Sequence, residues 1–308
     1  MSTTISKPGP REILLMLLTA LIWASAFSAI KVVVPESGPL WLAAWRVLIG
    51  FLVMFPYVLW RGLIFPSTGK LWFLILLTSI FNVVIPFFLI SWSEQTIDSG
   101  VVAVLMGCGP FLALLGSHFF TSDDRITPPK ILGVLLGFSG VLMIVGYDAL
   151  SGLGGATLMA QLAALGGACS YAVSGLLVRR VDFPPIRFGF FVLGMGAIIL
   201  ITLSLLIQGK PNLDLSLTAG LALLYLGILP TGAGQILRFV LIKKVGYSAF
   251  SLSLNLIPVF GVGLGALLLG EIIGPQMFIA LALVLGGLLV SRMDWKSRYG
   301  RSQSGDIS

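Results

Sequence analysis

The chain has 308 residues, 57% of them hydrophobic and 10% charged, with a formal net charge of +7. Soluble domains carry roughly 25% charged residues, so this composition excludes a fold whose whole surface faces water. With one histidine (His118) and two cysteines (Cys108, Cys169), all in or beside apolar runs, neither a zinc cluster nor a disulfide framework is expected.

In lipid the backbone must satisfy its own hydrogen bonds, which leaves helices or a closed barrel. Barrel strands read as alternating segments of about ten residues. Runs such as Leu71–Ser93 are instead continuously apolar, so the fold class is all-α integral membrane. A spanning helix needs about 20 apolar residues. That ruler predicts ten spans in chain order: 13–33, 39–60, 71–93, 97–119, 129–147, 156–178, 186–207, 216–236, 246–269 and 275–293. The first follows Lys7 and Arg11 as a signal peptide would, yet its run is long, holds Trp23 and lacks a small-residue cleavage site. It is expected to be retained. The connections are short and rich in turn residues, such as Pro184-Pro185 and Lys210-Pro211-Asn212, and leave no room for a soluble domain.

Sixteen of the 19 basic residues fall on the side of the N-terminus, against Lys31 and Lys210 on the other side and Arg46 inside a span. Basic loops stay cytoplasmic, so both termini are expected in the cytoplasm of a bacterial cell, with the chain in its inner membrane. The same asymmetry accounts for the positive charge and removes the case for nucleic-acid binding. No phosphate-binding glycine loop with its lysine, HExxH or GxSxG occurs.

Ten spans divide into two fives, and an odd number per repeat inverts the second copy, as in many transporters. Ala20-Leu21-Ile22-Trp23-Ala24-Ser25-Ala26-Phe27 aligns with Ala164-Leu165-Gly166-Gly167-Ala168-Cys169-Ser170-Tyr171 at an offset of 144. The stretch from Asp98 to Pro110 aligns with Tyr247 to Pro258, and Gly140-Val141-Leu142 with Gly286-Gly287-Leu288. The expected organisation is a cytoplasmic segment 1–12, a first repeat 13–147, a periplasmic connection 148–155, a second repeat 156–293 and a polar tail 294–308.

Trp23-Ala24-Ser25-Ala26-Phe27, Ala43-Ala44-Trp45-Arg46, and Pro258 followed by Leu268-Leu269-Gly270-Glu271 resemble the drug/metabolite transporter superfamily. Within it the chain is most similar to the ten-helix EamA-type exporters, and there to the bacterial aromatic amino-acid exporter branch. The resemblance covers about residues 11–293 and implies export of amino acids and related metabolites through a cavity between the halves. One departure is Thr121-Ser122-Asp123-Asp124, which stands where the first half should carry its Gly-Glu.

Polar groups at membrane depth are candidates for function, to be weighed against simple helix–helix bonding. Asn82, four residues before Pro86, either lines a cavity at a proline kink or bonds a neighbouring helix. Asn255, three residues before Pro258, and Ser251 one turn earlier share a face and the same two readings. Pro86, Pro110 and Pro258 are expected to shape helices. Trp92 and Tyr171 suit the interfaces and Trp23 and Tyr225 the interior, where rings pack or receive an apolar solute. Arg46 either clamps a substrate carboxylate or is paired structurally or snorkels outward. Gln235 and Arg238 end span 8, where Gln235 faces a vestibule if it is functional and Arg238 snorkels.

Glu94, Asp98 and Glu271 are placed near span ends, which leaves the spans without a central carboxylate and argues against a carboxylate proton relay. Gly133, Gly137 and Gly140, with Gly261, Gly263 and Gly265, are read as close-packing faces inside a monomer or weak homo-oligomer. The expectation is a cofactor-free carrier of a small solute within lipid. An enzyme acting on lipid would need a positioned nucleophile or carboxylate pair, a channel its charge ring, and a nucleotide-sugar carrier several cavity cations.

Overall fold

A computed structural model of the protein describes residues 8–120, 127–150 and 154–291. Its helices are α1 (Pro10–Ser37), α2 (Pro39–Trp60), α3 (Gly69–Ser93), α4 in two pieces (Ser99–Met106 and Gly109–Phe120) and α5 (Pro128–Leu150). The second half repeats this as α6 (Gly154–Val178), α7 (Pro185–Ile207), α8 (Leu217–Val245), α9 in two pieces (Tyr247–Leu254 and Ile257–Leu269) and α10 (Pro275–Ser291). Among the described residues eight helical stretches are long and apolar enough to cross a bilayer, and two shorter apolar ones, Ser99–Leu115 and Pro275–Ser291, complete the ten. The 121–124 segment, the 294–308 tail and the side chain of His118 lie outside the described residues.

The outside of the bundle is apolar: Leu14, Leu52, Leu135, Ile198, Leu206 and Leu267 are all exposed. Water would drive such a surface to aggregate, whereas lipid solvates it. Inside, one cluster gathers around α1, α4 and α9 with Phe27, Leu105, Phe111 and Val262, and a second around α2, α3 and α7 with Val47, Met54, Val83 and Leu193. Tyr171 and Trp45 touch both.

The contacts obey the repeat. α1 packs on α8 and α9, and its twin α6 packs on α3 and α4. α2 meets its own twin α7, and α5 its twin α10. Each helix of one half is therefore buried largely by the other half. Because each repeat holds five helices, an odd number, the second copy runs inverted through the membrane.

Four interruptions follow the same twofold logic. α3 widens into a π-helical turn over Ile80–Val84, and α8 into another over Gly227–Ala233. Pro86 and Pro230 explain them: a proline has no N–H to give and its ring crowds the preceding turn, so the helix relaxes there. α4 and α9 break after Met106 and Leu254, and Pro110 and Pro258 stand at the start of the second pieces, where a missing N–H costs nothing.

The continuous spans predicted at 97–119 and 246–269 are thus each two pieces. The hydropathy ruler also cut two helices short: α1 runs to Ser37 through Pro35, and α8 continues to Val245 with Arg238, Lys243 and Lys244. A helix need not stop where the hydrocarbon does.

α5 and α10 approach most closely. A Cβ on Gly287 would sit 2.5 Å from the carbonyl oxygen of Gly133 and 2.8 Å from the amide nitrogen of Gly137, and one on Gly133 would meet Gly287 O at 2.5 Å. Backbone cannot give way as a side chain can, so Gly287→Ala must push the helices apart. We expect it to lower stability by about 1–3 kcal/mol, read as a lower melting temperature in detergent. Gly286→Ala, whose Cβ has nothing within 4 Å, should melt like wild type.

Candidate functional site

The two relaxed turns organise the interior. In a regular helix the amide of residue 230 would bond the carbonyl of Leu226, but Pro230 has none to offer. The hydroxyl of Thr231 takes its place and donates to Leu226 O at 2.8 Å. That fixes the hydroxyl proton and turns a lone pair toward α2, where Arg46 Nε donates to Thr231 Oγ1 at 3.3 Å. On the other side the guanidinium carbon lies 4.0 Å from the centre of the Phe87 ring, one residue after Pro86. Arg46 is 6% exposed. It is held between the two proline turns by a neutral hydroxyl and an aromatic face, both of which tolerate its charge without neutralising it.

Of the alternatives expected for Arg46, the structure shows a structural partner, and a neutral one. Arg46 neither snorkels outward nor hydrogen-bonds a carboxylate. Tyr171 and Glu94 are the ionisable groups in its neighbourhood. Tyr171 is half-buried and packs against both apolar clusters, in the neighbourhood of Arg46 and Arg238.

The inner faces of α1 and α6 serve the widened turns in parallel. Trp23 Nε1 donates to Pro230 O at 2.9 Å, and its ring meets Phe250 edge-on at 6.1 Å. Ser25 and Tyr225 share a hydrogen bond between their hydroxyls. On α6, Ser170 Oγ donates to Phe81 O at 2.8 Å, and Asn82 Nδ2 donates to Ser174 Oγ at 2.8 Å. Asn82 is therefore engaged with a neighbouring helix across the α3 turn. Trp92 looks elsewhere: it lines a mostly apolar crevice of about 620 Å³ with Leu40, Ile85, Phe88, Leu89 and Ile207, between the ends of α2, α3 and α7. Ser251 lies in the first piece of α9, Asn255 in its break, and Gln235 on α8 just past the widened turn; all three are half-buried. The structure thus joins Arg46, Tyr171, Trp23, Tyr225 and Asn82 around the proline turns and leaves Trp92 apart.

Glu94 differs from expectation in its burial. The sequence places it near a span end with Asp98 and Glu271, and from this the interior was expected to lack carboxylates. It does follow α3 directly, yet it is 1% exposed, and neither of its oxygens has a hydrogen-bond partner. Position along a helix is not depth in a bundle: α1 packs against this part of α3. Lys31 of α1 reaches in, and its ammonium donates to the carbonyls of Glu94 (2.9 Å) and Ile97 (2.7 Å), capping the last turn of α3.

Glu271 has a different task. Gly270, at φ 69°, ends α9 in the left-handed region, and Glu271 then points at the first turn of α4. Its carboxylate accepts from Ser99 N (2.8 Å) and Gly100 N (2.9 Å). Two other helix starts at this face are capped across the repeats. Gln208 Oε1, after α7, accepts from Leu40 N and Trp41 N of α2 at 3.1 Å each, and Glu36 of α1 accepts from Ser216 N and Oγ at 2.7 Å each, before α8. At the opposite face the links are exposed ones, Lys244 to Glu12 and Arg187 to the carbonyls of Arg61 and Gly62.

Thr231, Phe87 and the burial of Glu94 were not legible from sequence. Thr231 left one signal, a hydroxyl directly after a mid-span proline. The others are ordinary residues made special by what surrounds them.

The pattern that defines the EamA-like transporter family matches this chain twice, over residues 10–146 and 158–293. Among curated proteins, the uncharacterized transporter YoaV of Bacillus subtilis (strain 168) is 25% identical, with 90% of this chain and 95% of YoaV covered. A protein of Streptantibioticus cattleyicolor named "Probable terminal-alkyne amino-acid exporter" is 23% identical over 89% of this chain and 91% of its own. A crystal structure of a protein with 21% sequence identity superposes with a TM-score of 0.66, covering 92% of this chain and 97% of that one, a likeness of fold.

Proposed function

We propose that this chain, which belongs to the EamA-like transporter family, is a secondary carrier that exports amino acids, aromatic or other apolar ones above all. The observation that carries this reading is Arg46: a guanidinium held 6% exposed between two relaxed helix turns, bonded to a neutral hydroxyl and stacked on a ring. Such a group fits the carboxylate of a solute that comes and goes better than a permanent counter-ion. Trp23, Tyr171 and Tyr225 give that solute aromatic surroundings. The name of the Streptantibioticus relative is in keeping with the same class.

In this reading the repeats 13–147 and 156–293 rock against each other, exposing the site alternately to the two sides of the inner membrane. Both termini are cytoplasmic, as the 16-to-2 division of basic residues favours. The test is counterflow. Proteoliposomes holding the purified protein should take up labelled phenylalanine faster when unlabelled phenylalanine is inside, and the rate should saturate. A carrier gives this acceleration and a channel does not. Uptake of no amino acid by folded protein overturns the substrate class, and chemical change of the solute overturns the carrier itself.

A further inference from the structure

Buried polar atoms without a protein partner gather toward the end of α3 that Lys31 caps. They include Ser28 Oγ of α1, Ser91 Oγ of α3 and both carboxylate oxygens of Glu94. Phe87, Ser91 and Glu94 follow at spacings of four and three and so share one face of the helix. Arg46 stacks on the first of them. The Phe87 ring that carries the guanidinium, the free hydroxyl and the free carboxyl therefore follow one another along a single helix face, over about 10 Å of helix rise from Phe87 to Glu94 at 1.5 Å per residue.

Arg46 and Glu94 act on each other's charge, but no hydrogen bond joins them, since neither Glu94 oxygen has one. The other charges in this neighbourhood are committed. Lys31 uses its ammonium on the carbonyls of Glu94 and Ile97, and Glu271 uses both oxygens on the amides of Ser99 and Gly100. Glu94 also stands at a helix C-terminus, where the backbone dipole disfavours an anion. A buried carboxylate with no donor is costly unless something charged meets it.

We propose that Glu94 is the ammonium-binding residue of this carrier. A zwitterionic amino acid spans this face, its carboxylate on Arg46 and its α-ammonium on Glu94, with Ser91 beside the head group. Each end of the head group would make one charge-assisted contact of about 2.8 Å. A solute with both charges satisfies both protein groups together. A solute with one leaves the other buried and unpaired, so the site selects against simple acids and simple amines. This inference rests on the amino-acid carrier reading and gives it a second binding residue.

The experiment is counterflow at pH 8 of labelled phenylalanine, 3-phenylpropionate and phenethylamine, with protein-free vesicles subtracted, for wild type, Glu94→Gln and Glu94→Asp. Wild type should exchange phenylalanine about tenfold or more faster than either analogue, because a site built around a polar group rejects the solute that lacks it. Glu94→Gln should lose about tenfold in phenylalanine exchange and carry 3-phenylpropionate equally well, which also shows that it is folded. Glu94→Asp, which keeps the charge, should retain the preference for phenylalanine at a lower rate.

Glu94→Gln keeping the wild-type preference overturns the inference and leaves the carrier standing. So does Glu94→Asp that exchanges solutes without preference. A Glu94→Gln protein inactive toward all three solutes, beside an active Glu94→Asp, also overturns it and assigns Glu94 to a proton. Wild type that exchanges none of the three removes the substrate class itself, a different result from any of these.

Discussion

Arg46→Gln is expected to abolish amino-acid exchange while leaving the protein as stable as before. Losing one partner of a desolvated charged contact costs about 2–5 kcal/mol, which is roughly 30-fold to several thousandfold in rate or affinity. The stability side runs the other way. In the resting structure the guanidinium is buried against Thr231 and Phe87 without a hydrogen-bonded carboxylate, so the fold bears its desolvation with little return, and a neutral group of similar length is tolerated or preferred. Arg46→Lys keeps the charge but concentrates it in an ammonium that can neither lie flat on the Phe87 ring nor grip a carboxylate with two parallel bonds. Its exchange should fall by about tenfold. Counterflow rates and melting temperatures of the three proteins check this. Exchange at the wild-type rate by Arg46→Gln, or a fall in melting temperature that accounts for the lost activity, would make Arg46 a structural residue.

The opposite pattern is expected at Glu271. Its two oxygens take the amides of Ser99 and Gly100, which are orphan donors at the start of α4. Hydrogen bonds to a charged group are worth about 1.5–3 kcal/mol each, and the carboxylate also meets the positive end of the helix dipole. Glu271→Ala should therefore lower stability by on the order of 3 kcal/mol. Glu271→Gln keeps one acceptor but turns its NH₂ toward the second amide, donor against donor, and should lie in between. The carboxylate sits in a close niche: a Cβ on Gly265 would run into it, and one on Gly100 would lie 3.2 Å from it. Thermal unfolding in detergent checks the order wild type, Gln, Ala. A Glu271→Ala protein that melts like wild type but no longer transports would move this carboxylate from the scaffold to the transport chemistry.

Much of the fold can be read from the chain because the bilayer imposes one length and one polarity on every span. The inverted repeat is legible for a similar reason: Ala20–Phe27 and Ala164–Tyr171 hold their offset although few of their residues agree. The breaks in α4 and α9 were only half legible. Pro110 and Pro258 mark where the second pieces begin, but the residues in the gaps, Gly107-Cys108 and Asn255-Leu256, have nothing in common.

At the site, Arg46 stands out in any reading because a cation inside a span is rare. Its partner Thr231 is 185 positions away and is chemically ordinary. The burial of Glu94 was not legible because distance along a helix is visible in sequence, whereas the packing of α1 against the end of α3 is a tertiary fact. The Glu271 motif was recognisable as a pattern, and only the structure connects its acid to the amides of α4.

The exchange of partners between the halves also sets a timetable for assembly. Helix α1 is buried by α8 and α9, and Trp23 finds its acceptor 207 positions further along. At about 5–20 residues per second of synthesis, α1 waits on the order of 10–40 s in the membrane before that surface exists. During that interval Arg46 enters the bilayer on α2 while Thr231 is still unmade. The first half must therefore be sheltered by lipid, by the insertion machinery or by loose pairing among its own helices, and neither half is a unit that completes itself before the other arrives.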